Sequence, residues 1–325
     1  MQDTLHSGLA LGDLDNGKGQ HLMSYWQQRD QFCEAILAPL TLNGRGLEVA
    51  PYFDPLTDKT QLNVLYADCL STEQIRKKAS ENPDLRTFAV PDIAIVWTPG
   101  KALRDCISTG VSFDFAVASH VLEHVPNPVG WLNEILQVMK VGSVLAIILP
   151  DKPATSHYMR QETTDSELVG WWLERPAIPT PSQVYDLLSN GYQRKDGEPL
   201  KFMKNFSASQ LRRSYEDHEV MNFTLWSFNE RHYLDVHCSV WTPERFVSAM
   251  KRMGALDLLN VEVSDFNSQE LDFAVHLTKL GEPSSTVPAV KPSELRSVAK
   301  TGLRQSRLWR RAASARRRLF DALSC

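Results

Sequence analysis

Apolar positions along this chain fall into short blocks separated by polar, helix-like stretches. After a Gly/Asp/Asn-rich opening, residues 24–38 carry Tyr25, Trp26, Phe32, Ile36 and Leu37 at spacings that predict a helix. The small-residue turn Asn43-Gly44-Arg45-Gly46 leads into a first strand, Leu47 to Ala50. A second strand runs from Leu62 to Ala67 and ends at Asp68, a third spans Asp92 to Trp97, and a fourth spans Phe113 to Ala118. Polar residues 72–80 predict a helix between the second and third strands. Val129, Leu132, Ile135, Leu136 and Met139 predict another over 128–140, closed by Lys140-Val141-Gly142 before a fifth strand, Ser143 to Leu149. Almost wholly apolar strands are buried on both faces, so this alternation predicts a parallel sheet in an α/β sandwich. Ligands of such folds bind beyond the carboxyl ends of the strands.

Residues 151–240 break the rhythm, with prolines at 153, 176, 179 and 181 and many aromatic residues. They are expected to form an insertion over the sheet without a core of their own, with helical pieces at 165–174 and 181–190. Thr242 as N-cap and Pro243 at the first position then predict a helix over 242–253. Two final strands, 258–266 and 271–279, joined by a short polar connection, suit an antiparallel pair. The expected organisation is an N-terminal helical extension (1–40), a ligand-binding half (41–150), a lid insertion (151–240), a completing helix and strand pair (241–280), and a linker with a tail (281–325).

Charge changes this picture mainly at the tail. Residues 281–325 carry ten Lys or Arg against three Asp or Glu, a net +7; the other 280 carry 25 against 36, a net −11. Leu308, Ala312, Ala315, Leu319 and Leu323 form one helical stripe ringed by arginines. Such a helix suits an anionic membrane surface or an acidic partner, including a second copy of the chain. An acidic body without an aromatic-lined basic surface argues against nucleic acid. Five scattered cysteines without a CxxC pair encode no zinc knuckle and suit a reducing, cytoplasmic setting, with the inner membrane face as a variant that the tail allows. The opening residues lack a signal-peptide pattern, and the longest apolar run, Val144 to Pro150, is too short to span a bilayer.

Candidate chemistry gathers at the strand ends. The first turn, Gly46-Leu47-Glu48-Val49-Ala50-Pro51, lacks the glycines that let a backbone approach a diphosphate. A nucleoside without phosphate asks less of it, and Asp68 stands where a ribose acceptor would. After the fourth strand comes Ser119-His120-Val121-Leu122-Glu123-His124. Its H-x-x-E-H spacing matches an inverted zincin motif, but the string follows a buried strand and ends in prolines, so that reading is rejected. Asp235 and His237 alternate along an extended segment, where an acid beside an imidazole can prepare a general base or serve as an ordinary buried pair. Asp151, His157 and Tyr158 lie near the same edge.

These strings carry a resemblance. Leu47 to Pro51, Val64 to Asp68, Phe113 to His124, Trp131 to Pro150, Asp151-Lys152 and Asp235 to Pro243 resemble class I S-adenosylmethionine-dependent methyltransferases, in particular bacterial proteins of polysaccharide and cell-surface glycan biosynthesis. The resemblance covers roughly residues 45–280. It implies a Rossmann-like sandwich with a mostly parallel seven-stranded sheet, an antiparallel final strand and a helical lid. It implies that Glu48, Ala50, Pro51, Asp68, Trp97, Thr98, Ser119 and His120 surround S-adenosylmethionine. His237, oriented by Asp235, is the first choice of base for a sugar hydroxyl, and His124 the second; Asp151, His157 and Tyr158 would meet the substrate. Some sugar O-methyltransferases use a divalent metal, for which Asp151, Asp235 and His237 are the candidate set; none is predicted. Trp171, Trp172, Tyr185, Tyr192, Trp226 and Tyr233 are read mainly as lid core, with stacking on a sugar as the alternative. Two positions depart from the pattern: Ala50 where a glycine is usual, and Thr98 where an acid is common. Two other readings stay open: a methyltransferase of the same fold acting on a small metabolite, lipid or protein, and a non-catalytic module, which Ala50 favours.

Overall fold

Seven strands form one sheet in the order β3-β2-β1-β4-β5-β9-β8. The computed structural model describes residues 32–52, 55–81, 90–196, 207–269 and 271–282. The helix expected in the tail, and Tyr25 and Trp26, lie outside them. The strands are β1 (Gly46–Val49), β2 (Val64–Asp68), β3 (Ile95–Val96), β4 (Phe113–Ser119), β5 (Met139–Pro150), β8 (Val261–Ser268) and β9 (Asp272–Lys279). β1 to β5 pair in parallel, and β9 runs antiparallel to both β5 and β8. The reversal between β1 and β4 creates a switch point, where the crossovers leave in opposite directions and a crevice opens at the carboxyl edge.

Packing explains the register. Gly46 has no room for a side chain: a Cβ there would lie 2.2 Å from the Phe115 ring on β4. Along β1, Leu47 and Val49 face one core layer and Glu48 the other. The first layer is closed by α3 (Pro128–Val138) and α7 (Pro243–Ala255). α7 buries Phe246, Ala249, Met250 and Met253, an i, i+3, i+4, i+7 stripe. The opposite layer holds Phe32 and Ile36 from the helical residues 32–37 (α1). α2 (Thr72–Glu81) covers a smaller cluster through Ile75 and Ala79.

Three expectations need correction. α3 stops at Val138, because Met139 already pairs with Phe113 on β4. Residues 140–142 form a bulge with Gly142 at φ 83° instead of a helix end, and the register resumes at Phe115 and Val144. β3 is only two residues long, since Asp92 to Ala94 precede the paired stretch. The insertion also has its own small core, Val184, Leu188, Val220, Val236 and Cys238. These come from α5 (Pro181–Ser189), α6 (Asp217–Asn229) and the irregular segment at 232–242. α4 (Asp165–Glu174) belongs to the main core through Leu168, Trp171 and Trp172. Of the lid aromatics, Tyr185, Trp226 and Tyr233 are exposed. Thr164 with Glu167 and Thr180 with Gln183 close reciprocal caps at the starts of α4 and α5, each worth about 1 kcal/mol. The remaining strands, β6 (Tyr192–Arg194) and β7 (Leu211–Arg213), make a separate antiparallel ribbon. No helix among the described residues is long and apolar enough to cross a membrane.

Candidate active site

The strand ends carry polar groups to one edge. Glu48, buried in β1, is turned onto the loop that follows. It accepts from the Leu56 amide at 2.7 Å, the Thr57 amide at 2.9 Å and the Thr57 hydroxyl. Its carboxylate therefore shapes the turn from beneath. Above it the chain goes left-handed, with φ 53° at Ala50 and 46° at Tyr52, while the Ala50 amide donates to the Ala67 carbonyl at 2.7 Å. Alanine thus adopts at position 50 the conformation for which glycine is the usual residue. Pro51 is buried beside it.

Asp68 ends β2. Its carboxylate accepts from the Leu70 amide at 2.8 Å, and burial raises its pKa. Burial, followed by the Asp68 charge, also pushes the neighbouring Cys69 thiol up to about 11. Trp97 joins this corner through its amide, which donates to the Asp68 carbonyl. Its ring stacks on Trp131 at 5.8 Å. Thr98 is exposed.

At the end of β4, Ser119 pairs with Ile148, and His120 adopts φ 54°. The His120 ring stands 3.5 Å from Glu123 through Nδ1 and 3.5 Å from Asp272 through Nε2. Burial alone would lower its pKa, but the two carboxylates outweigh burial and lift it to about 10. The ring is 46% exposed, so solvent screens part of that effect. Glu123 is 1% exposed, and neither of its carboxylate oxygens has a hydrogen-bond partner among the described residues.

The lid brings in a second group. His124 Nδ1 lies 2.8 Å from Asp235, while His237 Nδ1 lies 2.6 Å from His157 Nε2. The expected pairing of Asp235 with His237 is therefore corrected: the segment is irregular, so alternation does not put the two side chains on one partner. For His124, burial works downward, and the Asp235 hydrogen bond and Glu123 charge more than reverse it. His157 is buried and depressed to about 3 by desolvation and then by Arg160. Desolvation and His157 likewise hold His237 well below the ordinary histidine range.

Arg160, which no sequence pattern marked, is 2% exposed. It pairs with Asp186 at 2.8 Å and reaches His157 Nδ1 at 3.3 Å. The metal candidates also differ from expectation. His237 gathers with Glu123 and His124, their ligand atoms within 4.8 Å of one another, and not with Asp151 and Asp235. The Asp151 amide donates to the carbonyl of Leu271, just before β9, and Tyr158 is exposed. Burial, and then the charges of Asp68 and Asp235, raise the Tyr52 pKa.

Residues 25–256 match the family described as "Methyltransferase domain". The chain belongs to that family. Trans-aconitate 2-methyltransferase of Agrobacterium fabrum (strain C58) is 26% identical over 189 residues, which cover 54% of this chain and 69% of that protein. Among solved structures, magnesium protoporphyrin IX methyltransferase from Synechocystis PCC 6803 shares 7% identity at a TM-score of 0.36, covering 83% of this chain and 86% of its own. An O-methyltransferase family protein from Burkholderia thailandensis shares 10% identity at 0.38, covering 81% and 59%. The CurJ carbon methyltransferase shares 10% identity at 0.35 over 74% of this chain, which spans half the length of that one.

This methyltransferase depends on S-adenosylmethionine, and its residues fit that cofactor. The β1 turn has no glycine nest for phosphates, and Asp68 sets a carboxylate at the β2 end. The Glu123 and Asp272 carboxylates that flank the His120 ring set two acids against one imidazole, an acidic surrounding that suits a sulfonium.

Proposed function

We propose that this methyltransferase transfers a methyl group to an oxygen of a small molecule, with His124 as the general base. The observation that carries this reading is the 2.8 Å contact between His124 Nδ1 and Asp235 at the carboxyl edge of the sheet. A carboxylate on Nδ1 fixes the proton there and leaves the Nε2 lone pair for a substrate proton. A small acceptor is favoured over the glycan expected from sequence, because one relative, 26% identical over 189 residues, is a trans-aconitate 2-methyltransferase. In this reading Asp68 takes the ribose hydroxyls, the Ala50–Tyr52 turn backs the methionine end, and Ser119 and His120 border the sulfonium.

When bound, S-adenosylmethionine would supply an electrophilic methyl group: the acceptor oxygen would form the new O–C bond as the C–S bond breaks and its electron pair stays on sulfur. His124 Nε2 takes the hydroxyl proton, and Asp235 balances the imidazolium that results. Because Asp235 and Glu123 raise the His124 pKa, the base is free only above the ordinary histidine range near 6.5. Activity on a hydroxyl should therefore rise with pH through a midpoint above that value. Labelled methyl transfer into a panel of small hydroxy acids and polyols measures it. His124→Ala should cut kcat by about 10²–10⁴ and abolish the rising limb. Full activity in that variant, or calorimetry showing no heat with S-adenosylmethionine or S-adenosylhomocysteine, overturns the reading.

A further inference from the structure

Arg160, His157 and His237 form a hydrogen-bond chain whose direction is fixed at one end. A guanidinium only donates. Arg160 Nη1, 3.3 Å from His157 Nδ1, therefore makes that nitrogen an acceptor. A neutral imidazole has one acceptor and one donor nitrogen, so His157 carries its proton on Nε2. That proton points along the 2.6 Å contact into His237 Nδ1, which must accept. By the same rule, His237 carries its own proton on Nε2. Arg160 cannot turn away to relax this order, since Asp186 holds its guanidinium through Nε and Nη2, both at 2.8 Å. Burial of His157 and its cationic neighbour keep both rings neutral, the state in which this order of protons holds.

His237 Nε2 has no hydrogen-bond partner among the described residues, and neither does His124 Nε2. The two rings are neighbours, edge to face with centroids 4.4 Å apart. One therefore presents N–H and the other, when neutral, a lone pair. A hydroxyl group has the complementary set: its oxygen accepts and its hydrogen donates.

We propose that Arg160 and His157 lock His237 as a one-way donor, so that His237 Nε2–H and His124 Nε2 together clamp the acceptor's hydroxyl and select an alcohol as the methyl acceptor. The clamp rests on the reading of His124 as base; the lock does not. His237 touches the acceptor and takes no proton from it, and His157 and Arg160 are positioning residues. The hydroxyl oxygen keeps a second lone pair for the methyl carbon while its proton passes to His124. The same polarity disfavours a metal ion in the Glu123, His124 and His237 cluster, because binding through His237 Nε2 would need the whole chain of protons reversed against Arg160.

The lock is tested without any acceptor. Nitrogen-15 spectra of the histidine-labelled, full-length protein should show His237 as the neutral Nε2–H tautomer across neutral pH. His157→Phe should release it toward a mixed tautomer with an ordinary titration. An Nδ1–H tautomer or a cationic His237 in the wild type overturns the proposal even if methyl transfer is found. Failure of methyl transfer with the expected tautomer present would instead count against the His124 reading and the clamp built on it.

The clamp is tested by pairing His237→Ala with His237→Gln, whose amide N–H restores a donor. The alanine variant should raise the acceptor KM about tenfold, and glutamine should recover most of it. Both should keep the pH midpoint set by His124. Loss of the rising pH limb in His237→Gln would make His237 the base and overturn the assignment. Tight binding of Mn²⁺ or Zn²⁺ with loss of both the His124 and His237 signals would overturn it in favour of a metal centre.

Discussion

His120 at the end of β4 and His157 in the lid are the same residue type in opposite electrostatic settings. His120 sits between Glu123 and Asp272 and is lifted to about 10; His157 sits against Arg160 and is depressed to about 3. Burial opposes the charged form in both, so the neighbours decide the sign. The sheet edge sets two acids against one imidazole, which suits a cation. The lid has a buried arginine and keeps its imidazoles neutral, which suits the recognition of an uncharged group. On the proposed reading, one site divides into a half for the positively charged donor and a half for the acceptor.

The largest expected effect breaks the lid half with acid. Unfolded histidines take up protons near pH 6.5, whereas His157 and His237 in the folded chain resist them until far lower. Their contribution to stability is present above about pH 6.5 and is lost as pH falls toward about 3. The slope is at most about 1.4 kcal/mol per pH unit for each fully shielded group. His120 runs the other way: its contribution is complete below about pH 6.5 and fades as pH rises toward about 10, weakened by its exposure. Denaturant melts from pH 4.5 to 9 should show His157→Gln flattening only the acid limb relative to wild type. An acid limb unchanged by that substitution would mean that His157 is not held neutral.

Asp68→Ala probes the acidic half. In the proposed role, this buried carboxylate accepts the ribose hydroxyls; removing it then costs about 1.5–3 kcal/mol, so calorimetry should show S-adenosylmethionine affinity down by about ten- to a hundredfold. Asp68→Asn should fall between, with the melting temperature reporting any loss of the Leu70 contact. Unchanged affinity in both variants would remove Asp68 from the cofactor site.

The two halves differed in how far the sequence revealed them. The sheet half is made by consecutive residues at strand ends, so apolar runs such as Phe113 to Ala118 located the edge, and Asp68 and His120 followed from it. Even there Asp272 went unnoticed, because an acid opening a late strand carries no local pattern. The lid half is assembled across long gaps. His124 meets Asp235 111 positions away, and His157 meets His237 across 80. Spacing along one segment suggested an Asp235–His237 pair, but the irregular backbone there sends the two side chains to different partners. Arg160 had no signal at all: a lone arginine in a Pro-rich insertion looks like any surface cation until its burial is seen.

The smallest effect concerns Ala50, an alanine in a left-handed backbone conformation that glycine adopts more readily. At φ 53° an alanine is strained by about 1 kcal/mol relative to glycine, and glycine returns part of that as chain entropy in the unfolded state. Ala50→Gly should therefore stabilise the fold by up to about 1 kcal/mol, seen as a small rise in melting temperature. The Ala50 amide is already bonded to Ala67, so the turn keeps its shape with either residue, and cofactor affinity should change by less than about threefold. A large gain in affinity would mean that the alanine methyl narrows the cofactor slot. A drop in stability would mean that the left-handed turn is held by its neighbours at no cost to Ala50. With small changes in both, the methyl group is a tolerated occupant of a turn whose geometry Glu48 and Ala67 already enforce.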